Sequence, residues 1–332
     1  MKIIDNKRLK KVLSSEYNSV LDKKNGNFMR WGTTIDDDPS LSPFGPEIAD
    51  IEISTICSQG CKHCYKNNTT MGKNMSLETF KVIFGKFPKM LGQIAFGVGN
   101  LESNSDVWKI LQYTRDNGVV PNITVKPSDV NERTAKKLAD VCGAVAVSLY
   151  DERETYNAVK MISDAGIEQV NIHALFSQET YTKCESLVED IADGYVKGLN
   201  AAVFLWLKPK GRGETYHQVV SLDSYREFVD YVLEKKIQFG FDSCSANNFL
   251  KVNNDFKECV EPCESMLFSI YVDTDGKVWP CSFSEDIKEP IDLIAVEDFL
   301  SEVWFSPITE EWRKKLNGCG RSCPLYDLEL KE

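Results

Sequence analysis

From Ile51 onward the chain alternates between two periodicities. Apolar runs of strand length stand at 92–97, 119–125, 144–149, 168–175, 201–207 and 237–242. Between them, 76–87, 104–117, 129–142, 154–165, 178–194 and 222–236 carry apolar residues at helical spacing. Gly118, Gly143 and Gly166 stand where three of these helices should stop. A strand precedes the series, because Ile51, Ile53 and Thr55 alternate with polar neighbours. Strands and helices repeating in this order predict parallel strands joined by right-handed crossovers. The predicted fold class is α/β: a partial (β/α)6-type TIM barrel over 49–242, with its ligand site at the C-terminal ends of the strands.

The ends of the chain depart from this rhythm. Residues 1–48 are polar and broken by Asn25-Gly26 and by the run Asp36–Pro46; a helix over roughly 6–20 and then an extended loop are predicted. Past Asp242, apolar residues at 267–272, a turn at Asp273–Gly276 and a second apolar run at 278–280 predict a β-hairpin. An amphipathic helix follows near 307–316. Residues 243–332 are therefore expected to form a small cysteine-rich α+β extension.

Composition narrows the function. The 332 residues suffice for one large domain with an appendage, and 42% apolar with 27% charged residues is ordinary for a globular protein. A net charge of −11 without a dense Lys/Arg cluster argues against duplex nucleic acid as partner. No run reaches membrane-spanning length and Met1–Asp5 lacks a signal-peptide core, so a cytoplasmic protein is expected. Eleven cysteines in such a chain point to metal or cluster binding and not to a disulfide scaffold.

The chemistry concentrates at Cys57, Cys61 and Cys64, directly after the first strand. Three converging thiolates make a metal site with a vacancy, since zinc and the irons of a cubane both take four ligands. A structural zinc site, completed by His63 or a distant cysteine, is the competing reading. The spacing Cys-x3-Cys-x2-Cys, with His63 before the last cysteine, resembles the radical S-adenosylmethionine (radical SAM) superfamily. The resemblance implies that these cysteines hold three irons of a 4Fe-4S cluster and that S-adenosylmethionine chelates the fourth. Its reductive cleavage then yields methionine and a 5′-deoxyadenosyl radical that abstracts hydrogen from a substrate. An electron donor such as flavodoxin or ferredoxin is implied as partner.

Other cofactor contacts follow from the same resemblance. Where relatives read Gly-Gly-Glu-Pro after the second strand, this chain keeps Gly97 and Gly99 but has Asn100 in place of the glutamate. Asn100 still offers an amide oxygen, without charge assistance, and Glu102 is a displaced substitute. His63, Ser148, His173 and Arg212 are the remaining expected contacts to S-adenosylmethionine. Read from the residues alone, each is equally a satisfied internal group or a solvated loop residue.

In the extension, Cys263, twelve residues, Gly276, four residues and Cys281 resemble the opening of a SPASM/Twitch domain, as do Trp304 and Arg313. Two late cysteines fit the shorter Twitch form. The implied ligands of a second 4Fe-4S cluster are Cys263, Cys281, Cys319 and Cys323, with Cys259 as an alternative. Cys142, Cys184 and Cys244 lack partners at ligand spacing and read as small buried residues; a zinc knuckle competes here too. The expected activity is modification or crosslinking of a peptide substrate. Oxidation or rearrangement of a small molecule comes second, and a non-catalytic cluster- or zinc-stabilised binding module is the reading from another class.

Overall fold

The computed structural model describes residues 1–218, 221–285 and 289–330. It begins with a four-stranded antiparallel sheet, β1 (Lys2–Asp5), β2 (Leu9–Leu13), β3 (Asn18–Asp22) and β4 (Phe28–Trp31), in sequential order. The helix expected over 6–20 is therefore not formed. Lys10 and Val12 point inward along β2, and Lys10 sends its ammonium to the Leu91 carbonyl at 2.6 Å. The period is two, disguised because one inward position is a lysine. Asn25-Gly26 joins β3 to β4, with Gly26 at φ +81°. The segment after Trp31 forms no regular element and turns at Thr34–Asp37, where Asp37 N donates to Thr34 O at 3.2 Å, before β5 (Ile48–Glu52).

The alternating units then run α1 (Leu77–Lys86), β6 (Gln93–Gly97), α2 (Val107–Asp116), β7 (Val120–Val125), α3 (Glu132–Val141) and β8 (Ala144–Ser148). They continue through α4 (Glu152–Asp164), β9 (Gln169–Phe176), α5 (Tyr181–Ala192), β10 (Ala201–Trp206), α6 (Leu222–Lys235) and β11 (Phe239–Phe241). Neighbours from β5 to β11 pair in parallel and in sequence order, with β11 as an open edge. Local chemistry explains the boundaries. Ser76 caps α1, Asn131 and Thr134 form a capping box on α3, and Asp151 caps α4. Gly118 and Gly166 take left-handed turns as expected. Gly143 is required for another reason: a Cβ there would lie 2.4 Å from Val120 Cγ1.

After α7 (Ala246–Val252), the extension adds the hairpin β12 (Ser269–Val272) and β13 (Lys277–Trp279), then β14 (Ile291–Asp292) and α8 (Pro307–Gly318). The hairpin turns at Asp273–Gly276, where Trp279 Nε1 donates to Asp273 Oδ2 at 2.8 Å. Strand β12 pairs in parallel with β5, so the extension continues the barrel sheet as one ten-stranded layer. Arg30, on β4, ties the N-terminal sheet to both parts. It lies 3.7 Å from the Phe268 ring centroid and bridges Glu47 at 3.2 Å and Glu264 at 2.7 Å. Among the described residues, no helix is long and apolar enough to cross a membrane.

Alternation along the parallel strands sets what faces where. Ile51, Ile94, Ile123, Val145, Ile172 and Phe204 are buried beneath the helices. Their neighbours, including Asp50, Ala95, Asn122, Ala146, Asn171 and Val203, stand on the opposite face. Small residues at 95, 144 and 146 leave that face hollow.

Candidate active site

The chain leaves β5 and forms a cysteine loop held by backbone pairing. Cys57 N donates to Thr69 O at 2.9 Å, and Cys64 N to Cys61 O at 3.3 Å. Gly60 turns at φ +64°, a conformation that favours glycine. Arg212 fastens the loop from outside, its Nε donating to Cys61 O at 2.7 Å and its Nη2 to Asn68 O at 3.2 Å. Asn100 does the same from the next strand: its Oδ1 accepts from Ser58 N at 2.8 Å. Gly99 passes so close beneath that a Cβ would lie 2.1 Å from Ile56 O. Backbone proximity, more than any side-chain contact, requires this glycine.

Cys57, Cys61 and Cys64 are half-buried free thiols opening onto one cavity of about 760 Å³. Burial pushes the Cys61 thiol up; its hydrogen bond to Tyr150 Oη at 3.3 Å opposes that, and Cys64 and Cys57 add to it. As thiolates the three would repel, and iron carrying positive charge reverses the sign of that interaction. The donor set fits a cluster bound through three cysteines. Among the described residues, no three His, Cys, Asp or Glu side chains form a group suited to a single metal ion.

The cavity continues into the barrel. Ser148, Asn171 and His173 line it, with Asp50, Asn122 and Thr124 across from them. His173 is half-buried at the cavity wall and its ring is pushed down to about 4 by burial, so it is neutral at pH 7. Its Nδ1 lies 3.4 Å from Thr124 Oγ1. Asp50 is exposed to the hollow, and the protein packed around that hollow raises its carboxyl to about 6. Beside it, Lys66 bridges Glu52 at 3.2 Å and also contacts Glu285.

The extension presents a second set of thiols to the same cavity. Cys263 and Cys281, flanking the hairpin, and Cys323, after α8, all line it, and so does Cys244, just past β11. Arg321 clamps the late loop onto Cys263. Its Nε donates to Cys263 O at 3.0 Å, and Cys263 N donates to Arg321 O at 3.2 Å. Cys319 is not brought into the cavity. It is exposed, lines an outer groove, and its thiol donates to Leu316 O and Ser322 O, each at 3.2 Å. Cys259 is exposed as well, whereas Cys142 and Cys184 are buried.

Residues 263–324 match the iron–sulfur cluster-binding domain SPASM. Over the whole chain, the fold matches SuiB of Streptococcus suis bound to its precursor peptide SuiA, with TM-score 0.70 and 12% identity, covering 94% of this chain and 90% of that one. The S-adenosylmethionine-bound form of SuiB matches with TM-score 0.69 and 12% identity, covering 95% and 91%. No curated protein sequence matches the chain. The chain shares the fold of SuiB and carries a SPASM domain.

Within this fold, the contacts expected for S-adenosylmethionine divide into two groups. His63, Gly97, Gly99, Ser148 and His173 line the cavity. Asn100 and Arg212 do not; both hold the cysteine loop in shape. Glu102 is turned away, paired with Arg133 and accepting from Trp108 Nε1 at 2.8 Å. Sequence reasoning missed Tyr150, whose ring stacks on His63 with centroids 6.3 Å apart while its hydroxyl meets Cys61. It also missed the ionisable cluster at Asp50, Glu52 and Lys66. Two acids in one β-strand were the signal available for that cluster, because alternation puts both on one face.

Proposed function

We propose that the protein is a radical SAM enzyme that modifies a peptide. The observation carrying this reading is that both cysteine sets, Cys57/Cys61/Cys64 and Cys263/Cys281/Cys323, open onto one hollow. S-Adenosylmethionine bound at a cluster held by Cys57, Cys61 and Cys64 would supply radical chemistry on reduction, chemistry that belongs to the cofactor. The chain's own residues have the remaining tasks. Cys57, Cys61 and Cys64 bind the first cluster, with Arg212 and Asn100 keeping their loop in register. Gly97 and Gly99 leave room for the cofactor against the strand ends. Neutral His173, with Ser148 and Asn171, orients polar groups by hydrogen bonding without adding charge. Tyr150 and His63 cover the thiols on one side and limit access of water.

A peptide is favoured as substrate because the fold follows SuiB, a protein seen in complex with a precursor peptide, along most of its length. A small polar molecule is the second reading, favoured by the carboxylates and amides inside the barrel. A low-potential electron donor of flavodoxin or ferredoxin type completes the system. The test is anaerobic incubation of reconstituted, reduced protein with S-adenosylmethionine, followed by chromatography for 5′-deoxyadenosine. Formation is expected with the wild type and absent in Cys57→Ala; absence in both overturns the enzyme reading. Coexpression with a candidate precursor peptide and a mass change of that peptide separates peptide from small-molecule chemistry.

A further inference from the structure

The four cysteines implied by resemblance for the auxiliary cluster do not converge, and a different fourth thiol stands with three of them. Cys263, Cys281 and Cys323 face the shared cavity. Cys319 is exposed in the outer groove, with its thiol directed at two carbonyls of its own loop. Cys259 is exposed on a short turn at Lys257–Cys259. Cys244 is neither: it is partly buried, lines the cavity with the other three, and is acted on electrostatically by Cys263 and Cys323. Cys281 likewise interacts with Cys263 and Cys323, and Cys319 with Cys263.

We infer that Cys244 is the fourth ligand of the auxiliary cluster, completing a set with Cys263, Cys281 and Cys323. A second observation supports it. The buried ammonium of Lys208, paired with Asp242, also acts electrostatically on the Cys244 thiol and lies 5.0 Å from the Phe283 ring centroid. A cluster with four thiolates is an anion, and a buried cation beside two of its ligands offsets part of that charge.

The assignment has an architectural consequence. Cys263, Cys281 and Cys323 belong to the SPASM domain, but Cys244 sits in the turn that follows β11, the last barrel strand. A cluster held by all four ties the open edge of the barrel to the extension. Ligation of iron then contributes directly to docking the two parts, as metal binding contributes to folding elsewhere.

The inference rests on the iron–sulfur reading of the SPASM domain but not on the reaction, since iron is counted without S-adenosylmethionine. The test uses the full chain with Cys57, Cys61 and Cys64 all changed to Ala, so that only the auxiliary site remains. Anaerobically reconstituted, this variant is expected to hold about four irons per chain. Adding Cys244→Ala is expected to lower that to about three or none and to change the electron paramagnetic resonance signal of the reduced protein. Cys319→Ala or Cys259→Ala should leave both unchanged. Retention of about four irons and the same signal after Cys244→Ala, with loss after either of the others, overturns the assignment. Should Cys244→Ala fail to fold by circular dichroism, alkylation of the parent protein decides. Cys244 should be modified only after iron is chelated away; its modification at equal rates with and without iron rejects the proposal.

Discussion

At the residue scale, two positions carry predictions that the surrounding geometry makes specific. Gly99 lies against the backbone of the cysteine loop, so even a methyl group must push Ile56 aside. Gly99→Ala is expected to lower the iron held at Cys57, Cys61 and Cys64 by half or more while leaving the auxiliary iron in place, read by iron analysis beside the Cys57/Cys61/Cys64→Ala variant. Normal iron at both sites would show that the loop yields. Asp50 carries a pH prediction. Burial raises its carboxyl to about 6, above an unfolded value of about 4. Its stabilising contribution is present below the unfolded value and is lost as pH rises through about 6. Asp50→Asn should therefore resist urea better than the wild type at pH 7.5, with the two midpoints converging near pH 4. Parallel curves across that range would show that the cavity solvates the carboxylate fully.

Residue-level reading of the sequence was strongest where chemistry depends on local spacing. Cys57, Cys61 and Cys64 are within one loop, and a loop that short brings its sulfurs together whatever the rest of the chain does. It was weaker for Asn100 and Arg212, because the same polar groups serve a cofactor or a neighbouring carbonyl, and only position decides which. Cys244 illustrates the limit. It has no cysteine at ligand spacing, yet the end of β11 delivers it to the cavity that holds Cys263 and Cys323.

At the scale of elements, the six helices between the parallel strands were legible because amphipathic periodicity and N-terminal caps point the same way. Helix α6 is an instance: Ser221 caps it, Leu222, Tyr225, Phe228, Val229 and Val232 are its buried face, and Lys236 ends it in a left-handed turn. The N-terminal sheet was not legible. Its inward positions include Lys10 and Asn18, whose polar ends find carbonyl partners at Leu91 and Gly32. A hydropathy pattern cannot register an inward lysine whose partner lies far along the chain. The sheet is fastened by Arg30, whose side chain is 7% exposed and shared between Glu47 and Glu264. Arg30→Met leaves the buried Glu47 and the half-buried Glu264 without their cation and is expected to cost on the order of 3–5 kcal/mol. Urea unfolding measures it, and a change below about 1 kcal/mol would place the pairs in the solvent-exposed class.

At the scale of the molecule, one sheet runs from the open edge at β11 through β5 into the hairpin of the SPASM domain. The parallel pairing of β12 with β5 puts the two cysteine sets around a common hollow instead of on separate lobes. The holoprotein is expected to contain about eight irons, falling to about four when Cys57, Cys61 and Cys64 are all changed to Ala. A holoprotein with about four irons, unchanged by that substitution, would mean that only the SPASM domain carries a cluster.

The sequence by itself determined the alternation of strands and helices, the three-cysteine loop and the hairpin of the extension. Each rests on interactions between residues close in the chain, where periodicity, turn chemistry and spacing act directly. Only the tertiary structure decided that the first residues form a sheet, that Asn100 and Arg212 support the loop, and that Cys244 joins the late cysteines while Cys319 faces outward. Those outcomes depend on partners remote in sequence, and their positions are set by how the sheet curves and which strands pair.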